Sequence, residues 1–150
     1  MPSNVLYPSG SENLLKGNFH FCNYSGGTAS SSYAALISSS YTYSADHEFY
    51  SEISAHSCSA AVALTSVTCT TGTLNAADST FSSVPASGSA TVSQIIQHLV
   101  VFQSSSAAST DYLLAHFDTG SSGGINITAN GGDVTITWNA SGILALSGGC

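Results

Sequence analysis

The sequence contains almost no basic residues. Lys16 is its single lysine, and arginine is absent from all 150 residues. Only 6% of the residues are charged, and the formal net charge is −7. A protein that binds DNA or RNA needs several lysine or arginine side chains to displace counterions from phosphates, and docking on anionic membrane surfaces needs them too. The composition therefore predicts neither nucleic acid nor membrane as a partner.

Several motifs that carry chemistry are also missing. The sequence has no G-x-S-x-G elbow, and the glycine-rich stretch 120–124 lacks the lysine and the following helix of a phosphate loop. No apolar run is long enough to cross a membrane, and the first residues lack the basic and apolar regions of a secretory signal. We therefore predict no enzymatic activity and no cofactor.

The four cysteines show no spacing typical of a zinc site. They are Cys22, Cys58, Cys69 and Cys150, and no two of them form a C-x-x-C pair. Two disulfides are possible, but the spacing does not imply them. The favoured interpretation is that they are small buried thiols on strands, with one further cysteine at the chain end, because free cysteine is commonly buried.

Ionisable side chains cluster once, around Asp46-His47-Glu48. A weak divalent-metal site formed by His47, Glu52 and His56 is conceivable, but a solvated, capped helix start explains the acidic residues without a metal. His98 and His116 lie on two neighbouring predicted strands and face each other in one arrangement. An ordinary hydrogen-bonded pair is favoured over a catalytic dyad, so we predict neither catalytic residues nor metal ligands.

What the sequence does contain is a β-protein pattern. Hydrophobic residues make up 43% of the chain, which is enough for one core in 150 residues. Short apolar runs alternate with Gly/Ser-rich loops at intervals of about ten residues. We predict a mainly β fold, an antiparallel β-sandwich or barrel of about seven strands with one short helix.

The predicted elements follow the apolar periodicity. Residues 1–17 are predicted to be an extended N-terminal arm with a helical turn at 12–16, and residues 18–150 a single β-domain. The short helix is predicted over 45–53, capped by Ser44. Strands are predicted over 18–24, 33–37, 59–71, 79–84, 91–102 and 112–117, and a closing hairpin joins 134–138 to 143–146.

The C-terminal stretch also carries a family resemblance. Residues 117–120 read FDTG, residues 127–138 read ITANGGDVTITW, and residues 142–146 read GILAL. With these motifs in this order, the chain resembles a family of small virion proteins of tailed bacteriophages. Looser matches to the family lie upstream, at NLLKG (13–17) and Ala77-Asp78. The likeness covers most of the chain. Its first strand and its shortage of basic residues depart from the family pattern.

The resemblance implies a structural protein of the phage particle. Within that class we expect a decoration, or cement, protein that lies on the outer capsid surface, binds the major capsid protein and forms homo-oligomers. Such proteins bury surface across neighbouring capsomers. The residues expected to contact a partner come from the arm and from a tyrosine-bearing loop: Val5, Leu6, Tyr7, Leu14, Tyr41 and Tyr43.

Two alternatives remain open at this point. The first is a tail or neck component, such as a tube, adaptor or fibre-associated protein. The second is a glycan-binding module on the particle surface that uses exposed tyrosines such as Tyr41, Tyr43 and Tyr50, because sugars stack on exposed aromatic faces.

Overall fold

The computed structural model describes residues 4–19, 32–86, 95–104, 107–120 and 123–146. In these residues the chain forms one α-helix, Pro8–Leu15 (α1), two 3-10 turns, Tyr50–Glu52 and Ser54–His56, and thirteen strands. The strands are Val5–Leu6 (β1), Ser32–Ser38 (β2), Val62–Ala63 (β3), Thr68–Thr70 (β4), Thr73–Asn75 (β5), Ser79–Phe81 (β6), Ile95–Gln103 (β7), Tyr112–Phe117 (β8), Thr119–Gly120 (β9), Gly123–Gly124 (β10), Ile127–Thr128 (β11), Val134–Ile136 (β12) and Leu144–Ala145 (β13).

A six-stranded antiparallel sheet forms the centre of the fold. Its strand order is β1-β8-β7-β2-β3, and β11 pairs with the start of β7. The three long strands, β2, β7 and β8, are rich in β-branched and aliphatic residues, which suit a strand covered on both faces. The predicted mainly β, antiparallel fold is therefore confirmed.

One face of the central sheet packs against two smaller sheets. Ala34, Leu36 and Val101 belong to a buried cluster that also contains Leu74 of β5 and Phe81 of β6. The strands above this face pair as β13-β5-β4 and β12-β6, and a separate β9-β10 pair lies at 119–124. This stacking of sheets is sandwich-like.

The opposite face of the central sheet is also covered. Alternate residues of β2 and β7, such as Ile37 and Val100, pack in a second cluster with Tyr7, Tyr41 and Ile53. All five side chains are buried. The covering layer consists of the residues around α1 and the segment 40–57, so the central sheet is the middle layer of three.

The N-terminal residues that the structure describes are docked on the domain and do not project from it as an arm. Val5 and Leu6 pair with His116 and Ala115 of β8, and the Tyr7 amide donates a 2.9 Å hydrogen bond to the Leu114 carbonyl. Helix α1 then covers the rest of this edge. The physical reason is that an uncovered edge strand exposes unpaired N–H and C=O groups.

The helix predicted over 45–53 is wrong. The chain there forms a turn at Ser44, where the Asp46 amide donates to the Ser44 hydroxyl, and then the two 3-10 turns. The Glu52 carboxylate accepts hydrogen bonds from the amides of Glu48 and Phe49, and this arrangement replaces a regular helix in the segment. The Leu113 amide also bonds the Glu48 carbonyl, so this segment pairs with the edge of β8 instead of coiling on itself.

The other predicted elements have mixed outcomes. The strands at 33–37 and 112–117 are confirmed as β2 and β8, and β6 and β7 lie within or overlap their predicted runs. The run 59–71 is broken into β3 and β4. The predicted strand over 18–24 lies largely outside the described residues, as do residues 91–94 of the run that contains β7.

The predicted C-terminal hairpin is wrong, although its two strands exist. Strand β12 pairs with β6, and β13 pairs with β5 in a different sheet. The turn between them is present, with the Gly142 amide donating to the Asn139 carbonyl. Gly142 has φ +105°, and a Cβ there would lie 2.2 Å from the Thr73 methyl carbon, so the turn packs directly on β5. This close contact directs β13 away from β12.

Cys58 and Cys69 differ from each other. Cys58 is buried, as expected for a small thiol in a core. Cys69 lies on the exposed strand β4 and is disulfide-bonded, so the interpretation of this residue as a buried thiol is wrong.

Gly10 allows the close approach of α1 to β8. A Cβ at this position would lie 2.7 Å from the Leu113 carbonyl oxygen and 2.8 Å from that of Leu114. We predict that Gly10→Ala destabilises the protein by about 1–3 kcal/mol, because backbone must move apart to admit the methyl group. This cost exceeds the gain of about 0.5–1 kcal/mol that alanine brings to a helix. Urea unfolding measures the change.

Gly124→Ala is the matched control. A Cβ at Gly124 meets nothing closer than 3.9 Å, so its unfolding midpoint should stay near that of the wild type. A Gly10→Ala variant as stable as this control would show that α1 does not pack on β8 as described.

Candidate functional site

The largest group of polar aromatic side chains lies under the covering layer of the central sheet. We call it the tyrosine–histidine cluster, and it consists of Tyr7, Tyr41, Tyr43, His47, His56, His98 and His116. Antiparallel pairing of β7 and β8 brings His98 and His116 to one face. The docked N-terminal segment supplies Tyr7, and the loop after β2 supplies the other tyrosines.

A chain of hydrogen bonds connects three members of the cluster. The hydroxyl oxygens of Tyr7 and Tyr41 are 3.1 Å apart, and the Tyr41 hydroxyl lies 2.9 Å from Nδ1 of His47. Burial raises the pKa of Tyr7 well above its ordinary value, and its hydrogen bond with Tyr41 acts in the same direction. Burial likewise raises the pKa of Tyr41 and Tyr43. These phenols are therefore neutral at neutral pH, and none is an activated nucleophile.

The two strand histidines form a second hydrogen bond. Nε2 of His116 lies 3.0 Å from Nδ1 of His98, which agrees with the favoured expectation of a hydrogen-bonded pair. Burial and, to a smaller extent, the neighbouring His98 lower the pKa of His116 to about 4, while Asp118 acts in the opposite direction. Burial also lowers the pKa of His98, and a hydrogen bond with the Tyr41 backbone acts in the opposite direction.

These bonds indicate the tautomers of the neutral pair. If the Tyr41 backbone carbonyl accepts from Nε2–H of His98, Nδ1 of His98 must accept from Nε2–H of His116. Nδ1 of His116 is then an unprotonated nitrogen, and it is buried without a hydrogen-bond partner. A proton added there has no acceptor, so the pair holds neutral imidazoles.

The cluster does not form a metal site or an accessible reactive centre. Within 4–19, 32–86, 95–104, 107–120 and 123–146, no three His, Cys, Asp or Glu side chains are grouped to hold a metal ion. The conceivable site at His47, Glu52 and His56 is not assembled. Nδ1 of His47 bonds Tyr41, Nδ1 of His56 bonds the Ser40 hydroxyl, and the Glu52 carboxylate bonds backbone amides. Hydrogen bonds to those amides lower the pKa of Glu52.

The residues expected to contact a partner separate into two groups. Tyr7 and Tyr41 are buried in the core, 0% and 4% exposed, so the structure contradicts a surface role for these two. The contact prediction is wrong for Tyr7 and Tyr41 because it assumes that aromatic side chains in a loop and in a terminal segment face solvent. Val5, Leu6, Leu14 and Tyr43 are half-buried and stay candidates for contact.

The tyrosines of the glycan alternative do not form an exposed platform. Tyr41 is buried, and Tyr50 stacks on Phe102 with 4.1 Å between ring centroids and a 6° angle between planes. Tyr43 packs against Tyr7 and His116. Their aromatic faces therefore contact the protein itself.

The C-terminal motif behind the family resemblance has structural contacts throughout. The Asp78 carboxylate accepts hydrogen bonds from the Thr137 hydroxyl and the Trp138 amide, both at 3.3 Å. Nε1–H of Trp138 donates to the Ser79 hydroxyl at 3.1 Å. The Asp133 carboxylate accepts from the Ser83 amide at 2.8 Å. The motif thus ties β12 and its flanking loops to β6.

Comparison with known proteins adds no relative. No family model, no curated protein and no solved structure matches the chain. The resemblance to phage virion proteins stays a prediction based on the quoted residues. Within the described segments, no helix is long and apolar enough to cross a membrane.

Sequence reasoning missed the tyrosine–histidine cluster as a unit. Tyr7 and Tyr41 are 34 positions apart, and neither is near His98 or His116 in the sequence. The one available signal was the placement of two histidines on apolar runs. Asp78 was also missed as the residue that holds Trp138, since nothing local relates positions 60 apart.

We predict that the His98–His116 pair makes the protein less stable in acid. The pKa of His116 is lowered from 6.5 to about 4 on folding, so the unfolded chain binds the proton more readily than the folded protein. Stability is therefore full above about pH 6.5 and falls as the pH drops towards 4. This histidine alone lowers the free energy of unfolding by about 2 kcal/mol between pH 7 and pH 5. Urea unfolding across this range measures the loss.

His116→Gln should flatten this pH dependence, whereas His56→Gln, outside the strand pair, should leave it in place. An NMR titration of the His116 ring in the wild-type protein provides a readout that does not depend on a variant folding. A ring that titrates near 6.5 in the folded protein would contradict the prediction.

Proposed function

We propose that this chain is a structural protein of a tailed-phage particle, a decoration protein that binds the outer surface of the capsid shell. The observation that carries the proposal is the role of the C-terminal motif. Its Asp, Thr and Trp side chains hold β12 and the residues flanking it against β6, as the bonds of Asp133 and Trp138 illustrate. A motif of that kind supports a family defined by a shared scaffold.

The chemistry of the surface also supports a binding role. Lys16 forms an ion pair with Glu12, and Lys16 is the only lysine or arginine of the sequence. Contacts to a partner must therefore use neutral polar groups, apolar groups or acidic side chains that meet basic residues. Interfaces of standard size rely on a few buried apolar anchors surrounded by a polar rim.

Leu15 is the best-placed anchor in the described residues. It lies at the end of α1 and is 91% exposed, far more than any other large hydrophobic side chain in the structure's described segments. Leu14, which was expected to contact a partner, precedes it and is half-buried. The contact surface that we propose therefore centres on the C-terminal end of α1.

The proposed contact differs from a mobile arm that reaches across the shell. Val5 and Leu6 extend the central sheet, and the Tyr7 side chain is buried, so removing residues 1–11 would damage the fold itself. A deletion cannot separate binding from folding here. Point changes at exposed side chains can.

Copy number in purified particles tests the role. We expect a ratio to the major capsid protein of the same order as one, because a decoration protein covers the whole shell. Intact-mass or gel quantification measures it, and peptide methods should avoid trypsin because the chain has a single lysine. A ratio tens of times lower would move the protein to the tail or neck. Absence from particles would remove the structural role altogether.

Leu15→Ser tests the proposed contact surface. We expect the variant to fold normally and to bind particles that lack the protein at least about 10-fold more weakly, since central apolar anchors typically contribute more than 1 kcal/mol. Leu146→Ser changes another exposed leucine, 55% exposed, and serves as the control. Equal binding by Leu15→Ser and wild type would place the interface elsewhere.

A further inference from the structure

A groove opens between the central sheet and the layer of smaller sheets. It encloses about 640 Å³, within the roughly 300–1,000 Å³ range of small-ligand sites. Leu99 and Phe117 of the central sheet form one wall. The opposite wall is formed by β12 and the residues that follow it, including Ile136 and Trp138.

Every residue that lines the groove is uncharged. Phosphate, sulfate and carboxylate groups are recognised by arginine, lysine or helix N-termini, and cationic ligands by carboxylates or aromatic cages. The lining supplies no arginine, lysine, aspartate or glutamate among the described residues. The lining therefore offers no charged side chain to pair with an ionic ligand, which favours an electrically neutral one.

The lining combines apolar rings with hydroxyl and amide groups. Thr119, Thr135, Thr137, Asn4 and Asn139 line the groove beside the aromatic and aliphatic side chains. The Thr119 hydroxyl can donate and accept, the Thr137 hydroxyl, which donates to Asp78, can accept, and each asparagine amide nitrogen can donate. Such a surface complements a molecule that has apolar C–H faces and many hydroxyl groups.

The aromatic side chains in the groove are held in place. Trp138 and Phe117 pack edge to face, with 6.3 Å between centroids and 63° between planes. The bond from Trp138 Nε1 to the Ser79 hydroxyl and the bond from the Trp138 amide to Asp78 fix the indole. An aromatic ring that is already ordered loses little entropy when a ligand stacks on it.

We propose that this groove is a binding site for a neutral carbohydrate. Neutral saccharides carry apolar faces that pack on aromatic rings, and they present hydroxyls that pair with threonine and asparagine. A fatty acid fits less well, because its carboxylate finds no cation and its chain gains nothing from the polar side chains. The proposed glycan site is therefore this groove, and not the surface at Tyr41, Tyr43 and Tyr50, whose aromatic faces are covered.

Intrinsic fluorescence tests the proposal on the isolated full-length protein. Trp138 is the single tryptophan, so its emission reports directly on the groove. Candidate ligands are first selected on an array of neutral glycans and then titrated in solution. We expect at least one neutral oligosaccharide to change the emission saturably. The measurement needs no particles, so its result is independent of the copy-number test above.

Two glycine substitutions provide a matched pair. Gly120 lines the groove, and a Cβ there meets nothing closer than 4.0 Å, so Gly120→Leu adds bulk to the groove without a backbone clash. Gly124 lies in the same small hairpin, outside the lining, with comparable space. We expect Gly120→Leu to weaken glycan binding at least about 10-fold and Gly124→Leu to leave it unchanged.

Thr119→Val removes one hydroxyl from the lining at nearly constant volume. We expect about 3- to 10-fold weaker binding, the effect of losing one hydrogen bond, whereas Thr68→Val on exposed β4 should have none. Sialyllactose, an anionic glycan, and decanoate serve as contrasting probes. Failure of every neutral glycan on the array to bind, or binding of decanoate that Gly120→Leu abolishes, would overturn the proposal.

Discussion

Burial of β7 on both faces is the constraint on which the rest of the structure depends. Ile96, Leu99 and Val101 face the smaller sheets, while Val100 and Phe102 face the layer that contains Tyr7 and Tyr41. A strand covered on both sides must pair with neighbours along both edges, because no water reaches its backbone. β2 and β8 provide that pairing, and the three layers follow from it.

The same constraint explains the position of the N-terminal segment and the polar cluster. The exposed edge of β8 is closed by β1, by α1 and by the Glu48 carbonyl, which leaves little of it open to another chain. Closing the edge buries Tyr7 against His116. The Tyr7 hydroxyl bonds that of Tyr41 and the two histidines bond each other, and their burial favours neutral forms and couples stability to pH.

The sequence was sufficient for the fold class, because the apolar runs of β2, β7 and β8 are long and are separated by Gly/Ser-rich loops. It was insufficient wherever a distant contact decides local structure. The residues Asp46-His47-Glu48 are typical of the first turn of a helix. No helix forms there, because the Glu48 carbonyl pairs with β8 and the Glu52 carboxylate binds the Glu48 amide. The groove at Trp138 could not be predicted from the sequence either, because its walls come from Leu99, Phe117 and β12, which meet only in the folded chain.

The pairing of Val5 with His116 joins residues more than one hundred positions apart. During synthesis the N-terminal segment leaves the ribosome long before its partner strand does, so it has no sheet to join until β8 has emerged. Closing so long a loop lowers the conformational entropy of the chain before the contact between Val5 and His116 is formed. Sealing of the β8 edge is therefore a late step in folding, and until then that edge is the place where two nascent chains can pair with each other.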